Sequence, residues 1–369
     1  MSSTSITRLF GVGLTPGKLR GLQRISHTNG TLTMVALDQN SSMINMMKDA
    51  LKKKGQDREP TFDEIVDAKM SLCRSFGAEG SAVLIDAYYG VANFIATGAI
   101  GRNSGLLVRV EKSGGPKNSV DAPITELEPG LSVAKIKRLG ADAVKLLAPF
   151  EPDEFDSAEK QFAFVEKIYA ECKANDILLL LEPVSFPFKQ NGQKEDKKSK
   201  TYLDRKARAV IEGARILSGL CDVFKSEFPG TLGHESDSKL QENLHALNEA
   251  SKTPWVLLSA GVDFPDYKKQ VEMAMKAGAS GVLGGRAFWK EYFTFATKEE
   301  SQKFATTEGA NRVKQIQEIV MAHGKPWFTK YGLTAKCFET FRATEGWHFR
   351  YGGLEDAVAK AATKAGEVY

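Results

Sequence analysis

Apolar residues along this chain fall into short, dense runs separated by longer stretches of helical period. After the first thirty residues the runs are Leu32–Leu37, Ala82–Ile85, Leu106–Val110, Ala143–Ala148, Ile177–Leu181, Val223–Phe228, Trp255–Leu258 and Gly281–Leu283. Between most of them apolar positions recur at the spacing of one helix face, as in Thr61–Phe76, Leu131–Leu139, Glu159–Ala174, Tyr202–Leu217, Leu240–Ala250 and Phe264–Ala277. Several runs are apolar at nearly every position, which suits strands covered on both sides in a parallel sheet. Eight β/α repeats predict an α/β fold, a single (β/α)8 TIM barrel with N-terminal and C-terminal extensions. An open doubly wound sheet is the competing architecture.

Three segments fall outside the eight units. Gly11-Val-Gly-Leu-Thr-Pro-Gly17 misses the dinucleotide-binding fingerprint by one position and follows no convincing strand, so it reads as a turn. Gln190–Lys200, with Lys194-Glu-Asp-Lys-Lys-Ser-Lys, is a polar, charged loop directly after the fifth strand. It is either a solvated loop or, given that place in a barrel, a mobile cover on the catalytic rim. Past Lys325 the chain is rich in Trp, Phe, Tyr and Gly and ends in a helix-like stretch, Leu354–Ala365. The organisation expected is therefore a barrel with its N-terminal extension over residues 1–325. A C-terminal extension over residues 326–369 packs on the barrel or on a neighbouring subunit.

Composition narrows the function more than the fold. A length of 369 residues alone suggests two or three domains at roughly 150 residues each; the strand count replaces that with one barrel. Hydrophobic residues at 42% and charged residues at 26% are those of a globular protein with a large core, not of a disordered or coiled-coil chain. The net charge of +4 is too small to imply nucleic acid, and the short basic cluster Lys197, Lys198 and Lys200 has no aromatic interleaving. No apolar run reaches the ~18 to 20 residues of a membrane helix, and the first residues do not read as a secretion signal, so a cytoplasmic protein is expected. Cys73, Cys172, Cys221 and Cys337 are scattered without a Cys-x-x-Cys pair and read as reduced structural thiols.

In a barrel the chemistry sits where strands end, so charges late in an apolar run are informative. Asp38 ends the first strand, Asp86 the second and Glu182 the fifth; Lys145 lies in the fourth, Lys225 and Glu227 in the sixth. A single buried ion pair is ordinary, but several charges converging on one rim are costly without a task. In Cys221-Asp-Val-Phe-Lys-Ser-Glu-Phe-Pro229 the period of two places Lys225 inward if Phe224 packs toward the helices. An ammonium in an apolar wall with another cation nearby is pushed toward its neutral form, and a neutral amine attacks carbonyls. Glu182 is then the neighbouring acid/base, while Lys145 either holds Lys225 neutral or binds a substrate oxygen. Leu258-Ser-Ala-Gly-Val262 and Gly284-Gly-Arg-Ala287 place small residues and backbone N–H groups after the last two strands, where barrels frequently bind phosphate. Ser259, Gly261, Gly285 and Arg286, together with Gln39 and Asp86, form the expected substrate- and phosphate-binding set, for phosphate or a similar oxyanion such as sulfonate.

Val35-Ala-Leu-Asp-Gln39, Asp142-Ala-Val-Lys-Leu146, Leu181-Glu-Pro-Val184, Asp222-Val-Phe-Lys-Ser-Glu-Phe-Pro229, Leu258-Ser-Ala-Gly-Val262 and Gly278-Ala-Ser-Gly-Val-Leu-Gly-Gly-Arg-Ala287 occur in order. On these motifs the chain resembles the class I tagatose-1,6-bisphosphate aldolase family, which includes the aldolases of 6-deoxy-6-sulfofructose 1-phosphate. The resemblance runs from about Leu32 to Trp289. It implies retro-aldol cleavage of a ketohexose phosphate to dihydroxyacetone phosphate and an aldehyde, with no metal and no cofactor. It also implies that Lys225 is the Schiff-base lysine and Glu182 the acid/base carboxylate. Asp38 and Lys145 would line the substrate site, and Ser259, Gly285 and Arg286 would hold the phosphate on C1. Family members usually carry Arg after the Asp-Gln of the first strand; this chain has Asn40, which leaves open whether C6 bears phosphate, sulfonate or neither.

Two rivals remain. A metal-dependent aldolase needs clustered histidines, and His27, His234, His245, His323 and His348 contain no His-x-His or HExxH pair. A phosphosugar-binding barrel without catalysis would need neither Lys225 nor Glu182. The partner expected is a small phosphorylated sugar, with no nucleic acid and no membrane; a homo-oligomer is compatible with the sequence.

Overall fold

In a computed structural model that describes residues 5–352 except residues 78 and 191, eight parallel strands close into a barrel in chain order. They are β1 (Leu32–Ala36), β2 (Ala82–Asp86), β3 (Gly105–Arg109), β4 (Ala143–Pro149), β5 (Leu178–Val184), β6 (Val223–Ser226), β7 (Trp255–Leu258) and β8 (Gly281–Gly284). The ring is completed where Leu32 of β1 pairs with Gly281 of β8. A Cβ on Gly281 would lie 1.8 Å from the Leu32 carbonyl oxygen, so the closing seam requires glycine.

The alternation of each strand divides the apolar side chains into two clusters. Val83, Val108, Val144, Leu179, Leu181, Phe224 and Leu257 point outward and join the helix layer. Leu32, Met34, Leu84, Leu107, Leu180, Val223, Val256 and Leu283 fill the barrel interior. The helices begin where the sequence supplies caps. Thr61 and Glu64 form a capping box at the start of Phe62–Phe76, and the Ser199 and Ser236 side chains cap Lys200–Leu217 and Asp237–Ala250. Helices Ser41–Lys53 and Ala310–His323 were not expected. The first buries only Met43 and Met47, a stripe too sparse to register as a period. The second packs against β1 and helix Phe264–Ala277 and completes the outer ring.

One end of the barrel is stoppered. Helix Pro16–Ile25 lies across the strand starts, with Lys18 paired to Asp222 at 2.7 Å and the Ile25 carbonyl accepting from Ser81 Oγ at 2.7 Å. Leu9, Leu14, Leu22 and Ile25 join the interior cluster, and so do Trp327 and Leu333. The Trp327 amide donates to the Gly30 carbonyl at 2.9 Å. The described part of residues 326–352 thus packs on this end of the barrel; Leu354–Ala365 lies outside the described residues. In the segment read as a turn, Gly17 already belongs to the first turn of helix Pro16–Ile25, which Thr15 caps. The charged loop after β5 is not wholly irregular either: Lys189–Gln190 and Gln193–Lys194 pair as a short antiparallel ladder. No helix among the described residues is long and apolar enough to cross a membrane.

Candidate active site

At the open end, where the strands finish, lies a cavity of about 500 Å³. Because inward positions alternate, late inward residues of five of the strands bring charges to it. These are Asp38 beyond β1, Arg109 and Glu111 at the end of β3, Lys145 of β4, Glu182 of β5, and Lys225 with Glu227 on and just beyond β6. Phe224 faces the helices, and Lys225 turns into the cavity as the alternation requires.

The charges form one connected chain. Lys225 Nζ lies 2.8 Å from Glu182 Oε1, and the other oxygen of that carboxylate is 3.1 Å from Lys145 Nζ. Lys145 also contacts Asp38 Oδ2 at 2.9 Å and Glu111 Oε1 at 2.8 Å. Burial works against its positive charge, but Asp38, Glu111 and Glu182 outweigh it and raise its pKa, so Lys145 stays an ammonium. Lys145 is thus a buried cation at the centre of three carboxylates. Burial tends to raise the Asp38 carboxyl; Lys145, Lys225 and Arg109 overcome this and hold it at about 2. For Glu111 burial prevails over Lys145 and Arg109 and pushes the carboxyl up. One of its oxygens, Oε2, is buried without a hydrogen-bond partner.

The segments after β7 and β8 meet beside this cluster. Ser259 Oγ accepts from the Gly285 amide at 3.2 Å. A Cβ on Gly285 would come within 2.9 Å of Gln39 Nε2, and one on Gly261, whose φ is +80°, within 2.9 Å of the Arg286 guanidinium carbon. These glycines let the β1 and β8 loops close onto each other. Ser259, Gly285, Arg286 and Gln39 line the cavity; Gly261 lies behind Arg286 and is not part of the wall. Arg286 makes no ion pair among the described residues, which leaves an unneutralised guanidinium at the wall.

Asp86 is the correction. Its carboxylate is buried against Lys69, accepts the Tyr89 amide at 2.8 Å and does not reach the cavity. Lys69 also donates to the Leu37 carbonyl at 2.9 Å and to Asn40 Oδ1 at 2.7 Å. Burial lowers its pKa against the pull of Asp86. It was not foreseen, because a lysine on helix Phe62–Phe76 reads as a solvated position. Arg109 and Glu111 were also missed. Arg109 interrupts the apolar run Leu106–Val110, a signal of the kind that exposed Lys145, and its guanidinium donates to the Asp38 carbonyl at 2.8 Å. His234 pairs with Asp204 at 2.8 Å, away from the cavity. No group of three or more His, Cys, Asp or Glu side chains among the described residues is placed to hold a metal ion.

Comparison with known proteins gives the family of the chain. Residues 32–291 match the model of the DeoC/LacD family aldolases. A tagatose 1,6-diphosphate aldolase of Listeria monocytogenes serotype 4b is 31% identical over 338 residues, covering 87% of this chain and 96% of the relative. That of Lactococcus lactis subsp. lactis is 28% identical over 86% of this chain and 99% of its own length. Among solved structures, an archaeal fructose 1,6-bisphosphate aldolase superposes with a TM-score of 0.51 at 18% identity, over 82% of this chain and 99% of the other. The fructose-bisphosphate aldolase of Plasmodium falciparum does so with a TM-score of 0.61 at 11% identity, over 88% and 98%. These structural likenesses concern the barrel fold.

Proposed function

From the membership of this chain in the DeoC/LacD aldolase family we propose a metal-independent class I aldolase that cleaves a ketohexose 1-phosphate or 1,6-bisphosphate to dihydroxyacetone phosphate and an aldehyde. The tagatose 1,6-diphosphate aldolases among its relatives support the substrate class, and we place the enzyme in the cytoplasm. The observation that carries the mechanism is the Lys225–Glu182 contact of 2.8 Å inside a cavity whose second lysine is held as a cation.

Lys225 passes a proton to Glu182 and attacks the C2 ketone as a free amine. Glu182 returns that proton to the carbinolamine oxygen, water leaves and an iminium remains. The carboxylate then takes the proton of the C4 hydroxyl. The C3–C4 electrons move onto the iminium nitrogen to give an enamine, and the aldehyde departs. Reprotonation at C3 by Glu182 and hydrolysis of the iminium free dihydroxyacetone phosphate and Lys225. Lys145 and Asp38 orient the sugar oxygens around this axis. Ser259, the Gly285 amide and Arg286 receive the C1 phosphate, which a guanidinium without a carboxylate partner suits. Borohydride reduction in the presence of dihydroxyacetone phosphate should add a stable mass to the Lys225 peptide; active enzyme left unlabelled at Lys225 would sink the assignment.

A further inference from the structure

At the end of β1 the carbonyls of Ala36, Leu37 and Asp38, in succession, each accept a hydrogen bond from a side chain: Trp289 Nε1 at 3.0 Å, Lys69 Nζ at 2.9 Å and Arg109 Nη1 at 2.8 Å. Buried backbone carbonyls need such partners, but a lysine is a costly one. Lys69 is 0% exposed, and an ammonium taken out of water loses more hydration than an ion pair reliably restores. An apolar side chain would fill the same place behind the barrel wall without that cost, so the pair of Lys69 with Asp86 calls for a task other than stability.

The geometry around Lys69 supplies one. Its ammonium has three N–H donors and three acceptors: the Leu37 carbonyl, Asn40 Oδ1 at 2.7 Å and an oxygen of Asp86. Asp86 is itself fixed, because its other oxygen accepts the Tyr89 amide at 2.8 Å, and the Tyr89 ring lies 5.5 Å from the Lys69 nitrogen. Neither Lys69 nor Asp86 lines the cavity. Between the two points that Lys69 grips in the β1 loop, Leu37 and Asn40, stand only Asp38 and Gln39, and both of those do line it. Asp38 Oδ2 accepts from Lys145 at 2.9 Å, while its Oδ1 is buried with no hydrogen-bond partner.

We propose that Lys69, held by Asp86, is a positioning residue for the reaction: by clipping Leu37 and Asn40 it aims the Asp38 carboxylate at Lys145 and keeps its second oxygen free for a sugar hydroxyl. The ion pair on the far side of the β1 loop thus acts on the substrate only through Asp38. This rests on the aldolase reading above and adds to it a pair of residues that never touch the sugar.

The test is a double-mutant cycle between Lys69→Met and Asp38→Asn, run on whichever sugar wild type cleaves fastest among tagatose and fructose 1,6-bisphosphates, their 1-phosphates and 6-deoxy-6-sulfofructose 1-phosphate. Lys69→Met should lower kcat about a hundredfold and leave KM within about threefold, the scale expected when a reacting group is displaced by an ångström. In the Asp38→Asn background the same substitution should change kcat by less than about twofold, because the residue it acts through is already lost. A residue that served stability alone would move the urea midpoint and leave kcat of the folded enzyme where it was. Lys69→Met strands the Asp86 carboxylate, so Lys69→Met/Asp86→Asn, in which both charges go, is run beside it and decides the matter if the single variant does not fold. A folded variant with wild-type kcat, an Asp38→Asn enzyme as fast as wild type, or losses that multiply in the combined variant would overturn the inference while leaving the aldolase reading in place. Wild type that cleaves none of the five sugars would overturn that reading and this inference together.

Discussion

Lys145 shows how far one side chain can organise a site. It touches three carboxylates, Asp38, Glu111 and Glu182, at 2.8 to 3.1 Å in a buried layer. Removing one partner of such a buried set leaves charge uncompensated, which is more costly than the set is stabilising. Lys145→Met should therefore lower unfolding stability by about 3–5 kcal/mol, read as the urea midpoint, and should abolish cleavage; an unchanged midpoint would contradict the network. Lys145, Lys225, Glu182 and Asp38 were legible in the sequence because each is a charge inside or at the end of an apolar run. Glu111 was not, since Glu111-Lys-Ser-Gly114 looks like an ordinary loop, although it continues the inward alternation of Leu107 and Arg109 and so reaches Lys145. Asp86 was legible as a strand-end charge but misassigned, because its partner comes from a helix and no strand pattern announces it.

At the scale of elements, strand positions were recovered from apolar density alone, since a strand buried on both faces carries few polar positions to blur it. What the pattern could not show is how the loop after β5 is tied down, by Glu195 to Arg205 and through Arg205 to Glu151. Its anchor, Glu151, lies at the foot of helix Phe155–Ala174 and is fully buried; burial pushes its carboxyl up from 4.5 to about 7, against the attraction of Arg205. A carboxyl raised in this way is neutral in the folded protein while it is already ionised in the unfolded chain. Its contribution to stability is therefore lost as pH rises from about 4.5 to about 7. The stability of Glu151→Gln relative to wild type, followed by thermal melts, should rise over that window and level off above it. A difference that stays flat from pH 4.5 to pH 7 would show that the carboxyl titrates normally.

The whole molecule is a barrel with one closed end. Helix Pro16–Ile25 and the segment around Trp327 join the interior cluster from below, while the charged layer occupies the opposite rim. Trp327, 3% exposed, is far in the fold from the cavity, so Trp327→Ala should cost about 3–5 kcal/mol of stability with KM and kcat of the folded fraction kept. A variant that folds normally but loses catalysis would mean that the two ends are coupled. The extensions were visible in the sequence only as surplus length, because their apolar residues serve the interior of a fold they do not themselves pattern.

That floor has a kinetic consequence for the proposed reaction. With helix Pro16–Ile25 beneath the core and Lys18 bonded to Asp222, the cavity is a dead end, and everything that enters or leaves passes one mouth. The aldehyde half, nearer the mouth, must clear the passage before the water that hydrolyses the remaining imine can arrive. Release is therefore sequential, and an aldehyde added at high concentration should re-form the C3–C4 bond with the waiting enamine and so hold back the second half of the cycle.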